Sequence, residues 1–132
     1  MSHRNVEVVR RAHEALNAGD IDGLVALCHE DFELDMSDRV LNPETYRGHD
    51  GIRRFYAEVH GPWERYVWEA EELRDRGDAV VALVRARGLG RGSGLEVDRE
   101  AAMIWTLRDG RASGLRFYRD REAALDAAGR RE

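Results

Sequence analysis

The chain is 132 residues long, 42% hydrophobic and 36% charged, with a formal net charge of −5. That length supports a sizeable core and that composition excludes an intrinsically disordered chain, so one domain spanning 1–132 is expected. No apolar run approaches the ~20 residues of a membrane span, and the charges are mixed rather than gathered into a basic face, so neither a membrane nor a nucleic acid is expected as a partner. The basic residues are all Arg, with no Lys and no Gln anywhere, which reads as the genome composition of a GC-rich bacterium. The start, Met-Ser-His-Arg-Asn, lacks the apolar core of a signal peptide, and Cys28 is the only cysteine, so no internal disulfide can form. A cytoplasmic location is expected on those grounds.

Residues 3–18 read as an amphipathic helix with Val6, Val9, His13 and Leu16 at helical spacing, capped by Ser2 or Asn5 and stopped by Gly19. Asp20 suits the cap of a short second helix carrying Ile21, Leu24, Val25 and Cys28. Phe32–Met36 alternates with period two and predicts a strand; Ser37–Arg47, interrupted by Pro43, predicts a loop. Gly48–Gly51 opens a third helix, whose stripe is Ile52, Phe55, Tyr56 and Val59, and Gly61-Pro62 ends it. Trp63–Leu73 alternates Tyr66, Trp68 and Ala70 against Val67, Glu69 and Glu71, the pattern of another strand.

The main sheet is predicted from Asp78–Arg87, Leu95–Leu107 and Ala112–Tyr118. The glycine-rich loop Gly88–Gly94 joins the first pair, and Asp109-Gly110 joins the second. Asp-Gly between apolar runs predicts a type I′ hairpin, because that turn needs positive φ at both central residues. Such a turn pairs Arg108 with Arg111, and hence Trp105 with Gly114, Met103 with Arg116 and Ala101 with Tyr118. Arg116 and Tyr118 then share a face with Met103 and Trp105. Neither face is cleanly polar, so helices are expected on one and part of a second subunit on the other. Arg119–Ala128 reads as a closing helix. The order implies an α+β fold, with three N-terminal helices packed on a strongly curved, mainly antiparallel sheet whose curl leaves a cone-shaped hollow, a default ligand site.

Candidate chemistry is sparse. The five histidines show no ligand spacing with another His or Cys, so no metal is expected. The glycine loop matches no phosphate motif, and a P-loop needs the Lys that this chain lacks. His13, inside the first helix's apolar stripe, is the first acid/base candidate, against the alternative of a hydrogen-bonded core histidine. Asp35 is the second: strict alternation turns it outward, whereas a bulge would turn it inward and raise its pKa. Arg85 and Arg87 either pair across strands with Asp98 and Glu96, or, with the register shifted by one, face the hollow as anion anchors. Arg116 and Tyr118 are further polar anchors on the Met103 face.

The segments Val8–Asp20, Tyr46–Tyr56, Gly92–Gly94, Trp105–Gly110 and Arg116–Leu125 give the chain a resemblance to the SnoaL-like polyketide cyclases, within the nuclear transport factor two-like superfamily that also holds ketosteroid isomerase. The resemblance implies a cone of helices on a bent sheet, a homodimer, an apolar cavity for a small hydrophobic molecule, and acid/base chemistry with no cofactor. The isomerase pattern is an Asp base plus a Tyr and a protonated Asp that stabilise the enolate. Those positions fall on Met36, Ala12 and Met103 here, which argues against steroid isomerisation. Rings and other residues expected to line the cavity are Met36, Phe55, Tyr56, Trp63, Trp68, Met103 and Trp105, with Arg85, Arg116 and Tyr118 as anchors. The function expected is a small-molecule binder with possible cofactor-free cyclase, isomerase or hydrolase activity; the alternative is a non-enzymatic binding or dimerisation domain.

Overall fold

The computed structural model describes residues 2–39 and 43–129. Ten elements follow in chain order: α1 (Ser2–Ala18), α2 (Ile21–Ala26), β1 (Cys28–Asp35), β2 (Thr45–Arg47), α3 (Gly48–His60), β3 (Trp63–Asp75), β4 (Ala79–Gly90), β5 (Glu96–Arg108), β6 (Arg111–Tyr118) and α4 (Arg121–Gly129). The strands form one sheet in the order β2-β1-β6-β5-β4-β3. Every neighbouring pair is antiparallel except β1 and β6, which run parallel. The result is the expected α+β cone, with α1, α2 and α3 on the concave face.

The main core lies between those helices and the sheet, built from Val9, Leu16, Phe32, Leu34, Met36, Phe55, Met103 and Trp105 among others. A smaller cluster covers the convex face, where Ala124 and Ala128 of α4 pack on Ala79, Val81, Leu83, Ala102 and Ile104. These apolar residues of the second face, over part of which the sequence suggests a second subunit, lie under the chain's own last helix.

Asp20 caps α2 as predicted, its carboxylate accepting from the Gly23 N–H at 3.0 Å. Cys28 opens β1 and is fully buried, which corrects its placement on α2. The predicted 37–47 loop, part of which lies outside the described residues, ends in β2, paired with β1 through Leu34 and Tyr46. A three-residue strand beside Pro43 is too short to show a period. The β4–β5 hairpin runs further than predicted, so Gly88 and Gly90 are strand residues. Asp109 and Gly110 have φ of 52° and 79°, the type I′ turn read from the sequence.

The register beyond that turn differs from the prediction. Arg108 pairs with Arg111 and Leu107 with Ala112, but Thr106 then pairs with Gly114, Trp105 with Leu115, Ile104 with Arg116 and Met103 with Phe117. A bulge at Ser113, whose hydroxyl donates to the Thr106 carbonyl at 3.2 Å, shifts the pairing by one. A one-residue shift exchanges faces. It buries Leu115 and turns Phe117 into the main core, and it sends Arg116 and Tyr118 to the convex side. Burial of two large apolar side chains outweighs the regular pairing that the turn alone would propagate.

Candidate functional site

The cavity at the open end of the cone follows from alternation along three strands. On the concave face, Tyr66 pairs with Gly88 and Gly88 with Val97; one row further in, Trp68 pairs with Ala86 and Ala86 with Arg99. Small residues on β4 thus lie beneath large rings on β3, and the sheet curls without filling the space above. A Cβ on Gly88 would sit 2.6 Å from the Tyr66 ring and 3.1 Å from that of Trp63, so only glycine lets these rings lie against the strand. The hollow has a volume of about 1020 Å³ and opens to solvent on one side.

Its apolar surface is Met36, Trp68, Ala86, Ala101 and Phe117, extended at the mouth by Val59, Pro62, Trp63 and Leu95. Leu95 is 61% exposed, the large hydrophobic residue that the fold leaves at the cavity lip. Trp63, Tyr66 and Trp68 form a continuous aromatic wall: the first two rings meet edge-to-face at 5.1 Å, the second two are tilted at 4.7 Å. Phe55 supports Trp68 from behind at 5.6 Å.

The other end is polar. Arg39 donates to the Tyr46 hydroxyl at 2.9 Å, and that hydroxyl donates to Glu58 at 2.7 Å. Arg54 pairs with both Glu58 and Glu44, and its guanidinium lies over the Tyr46 ring at 4.5 Å. The bond from Tyr46, reinforced by Arg54, holds the Glu58 carboxyl below its usual range. A carboxylate so held is a weak base. Arg99 and Arg119 complete the rim, Arg119 lying 3.7 Å from Asp38. Burial pushes the Tyr66 phenol up, only partly offset by the charges of Arg99 and Arg39, so it is a protonated donor at neutral pH. Among the described residues no cluster of His, Cys, Asp and Glu is arranged to hold a metal.

Of the sequence-predicted residues, Met36, Trp63 and Trp68 line this cavity. Phe55 lies behind it, and Tyr56 is stacked on His60 at 4.1 Å, away from the lining. Met103 and Trp105, each 1% exposed, are core. Arg85 and Arg87 pair with Glu100 and Asp98 on the convex face. There Arg85 contacts Glu71, Asp98 and Glu100, so it is no cavity anchor. The Ser113 bulge removes Arg116 and Tyr118 in the same way, leaving the Arg116 guanidinium 5.2 Å from the Tyr118 ring.

Neither acid/base candidate reaches the cavity. Asp35 faces outward beside Arg116, 3.6 Å away; burial alone would raise its carboxyl, but bonds from Ser37 and the Arg116 charge bring it below the usual range. His13 is 3% exposed, and it bridges the Trp68 carbonyl and the Trp105 indole N–H, each at 3.2 Å. It is a core histidine. Its effect on the cavity is indirect, through Trp68. Asn17, one helical turn on, donates to the same carbonyl and accepts the Trp68 N–H, both at 2.9 Å. β3 is an edge strand, so these bonds satisfy edge groups that would otherwise be open.

The sequence reading missed Tyr66, Arg99, Glu58 and Arg119 as lining residues. Period two along β5 carries the signal for Arg99, which shares the parity of Met103 and Trp105. Arg119 needs the bulge, which no local pattern announces.

The profile of the family described as "SnoaL-like domain" matches residues 9–114. No curated protein matches the sequence. Among solved structures, TerC co-crystallised with polyporic acid superposes with a TM-score of 0.79 at 23% identity, covering 96% of this chain and 98% of the other. A protein from a soil-derived mobile gene cassette gives a TM-score of 0.81 at 20% identity, with 96% of each chain covered. A protein of ketosteroid isomerase-like fold from Catenulispora acidiphila, in complex with trimethylamine, gives 0.77 at 17% identity, covering 93% and 92%. At these identities the likeness is one of fold.

Proposed function

The chain belongs to the SnoaL-like domain family, and on that premise we propose that it binds a small, flat, aromatic or otherwise apolar molecule in the cavity at the open end of its cone. The observation that carries this reading is the aromatic wall of Trp63, Tyr66 and Trp68 standing over a floor of Ala86 and Ala101. Rings on one side and small residues below make a slot for a planar body. A volume of about 1020 Å³ suits a ligand of one to a few fused rings. That two fold neighbours were crystallised with small organic molecules agrees with this use of the fold.

Binding without turnover is the better supported form. The cavity's carboxylates, Glu44 and Glu58, are both engaged by Arg54, and His13 and Asp35 lie elsewhere. The catalytic variant of the proposal, a cofactor-free cyclase, isomerase or hydrolase, rests on Tyr66 as a protonated donor to an oxygen that gains charge during reaction. A homodimer is carried with the proposal from the family; since α4 already covers the apolar convex face, light scattering at micromolar concentration is the measurement that decides it.

The test is a titration with polycyclic aromatic probes, read by tryptophan fluorescence. Saturable quenching that weakens in Trp63→Ala supports the reading. Quenching untouched by that substitution places the ligand elsewhere.

A further inference from the structure

The cavity has a second recognition feature that the aromatic slot does not use. Arg99 lies on the concave face directly across Ala86 from Trp68, so the indole, the alanine and the guanidinium form one row across three strands. Arg99 makes no hydrogen bond or ion pair to any described residue, whereas Arg54 engages the cavity's own carboxylates and Arg119 lies beside Asp38. The Tyr66 hydroxyl, one row outward, likewise takes no described partner, and the Arg99 charge acts on it.

We propose that the ligand is an aromatic acid: its ring lies against Trp68 over Ala86, and its carboxylate docks between the Arg99 guanidinium and the Tyr66 hydroxyl. This rests on the cavity reading above and names the chemical class it takes. A guanidinium offers a carboxylate two parallel N–H bonds, and a phenol adds a third donor from a fixed ring. Placing the anion at the rim keeps one side of the pair near water, so the acid enters without the cost of burying an unpaired charge. Glu44 and Glu58 oppose it little, because Arg54 pairs with both and the Arg39 charge also acts on Glu58. An amine or other cation would instead meet Arg99 as a like charge.

Naphthoate and naphthamide separate the two claims, since they share a ring system and differ in charge. Titrated by tryptophan fluorescence, wild type is expected to bind naphthoate about tenfold tighter, a preference that shrinks as salt is added. Arg99→Gln is expected to bring naphthoate down to about the naphthamide affinity and to weaken naphthamide far less, since a neutral amide oxygen gains less from the guanidinium, with thermal unfolding showing that the exposed substitution keeps the fold. Equal binding of both probes to wild type, or a preference that survives Arg99→Gln, overturns the acid and leaves the aromatic slot standing. If neither probe binds, the slot itself fails and the acid with it.

Discussion

The Trp105 indole N–H donates to Nε2 of His13 at 3.2 Å, joining β5 to α1 across 92 residues of sequence. Trp105 can only donate, so Nε2 must carry the lone pair. The Trp68 carbonyl can only accept, so Nδ1 must carry the proton. The two partners fix a neutral imidazole of one tautomer in the core. A second proton has no place there, and burial lowers the His13 pKa to about 4, against a smaller upward effect of the Trp68 carbonyl.

This makes part of the acid sensitivity assignable to one residue. The unfolded chain takes up the His13 proton near 6.5, the folded protein only near 4, so within that window the unfolded state binds more protons and stability falls as pH drops. The loss reaches roughly 3 kcal/mol at the acid end and is absent above 6.5. Urea unfolding across the window should show wild type losing that much more than His13→Gln. Parallel curves would falsify the assignment.

Trp105 separates packing from hydrogen bonding. Trp105→Ala should cost roughly 3–5 kcal/mol, because it empties a fully buried site between His13 and Phe32. Trp105→Phe keeps most of the volume but leaves the His13 lone pair without its donor, a loss of about 1–3 kcal/mol. A Phe variant as stable as wild type would mean that the indole bond is dispensable.

Asn17 guards the outer edge of the sheet. Its amide makes a reciprocal pair with the Trp68 backbone, and Asn17→Leu leaves the Trp68 N–H without a partner, while the carbonyl keeps its bond from His13, at a cost of about 1–3 kcal/mol. Hydrogen exchange at the Trp68 amide should accelerate well beyond that of interior β4 amides. Unchanged protection at that amide would show another group covering the edge.

The fold was legible where a period or a turn residue declares itself. The stripes of α1 and α3, the Asp20 cap and the Asp109-Gly110 turn all lie within reach of local rules. The site was less legible because it depends on register. One unpaired residue, Ser113, moves Arg116 and Tyr118 off the concave face and turns Phe117 onto it. The β4–β5 pairing puts Arg85 opposite Glu100, on the convex side, and leaves Arg99 facing the cavity. Register is decided by the sum of burial over whole strands, which no window of neighbouring residues contains. His13 was ambiguous for a related reason: its helical spacing places it at the sheet, but only the tertiary structure supplies the two partners that engage both ring nitrogens away from the cavity lining.

Gly88 gives the sharpest test of how the cavity is built. It sits in β4 with ordinary strand geometry, so alanine there carries no backbone penalty and improves strand propensity. The obstacle is the 2.6 Å approach of the Tyr66 ring, with Trp63 close behind at 3.1 Å. Gly88→Ala must therefore tilt both rings into the hollow, costing about 1–3 kcal/mol in overpacking. Near-ultraviolet circular dichroism should change while the far-ultraviolet spectrum holds, and aromatic probes should bind more weakly. Gly114→Ala is the matched control, since a Cβ there meets only the Glu33 carbonyl oxygen at 3.5 Å, ordinary contact. If both variants bind alike, the aromatic wall does not depend on the bare backbone beneath it, and the small-residue floor is not what shapes the slot.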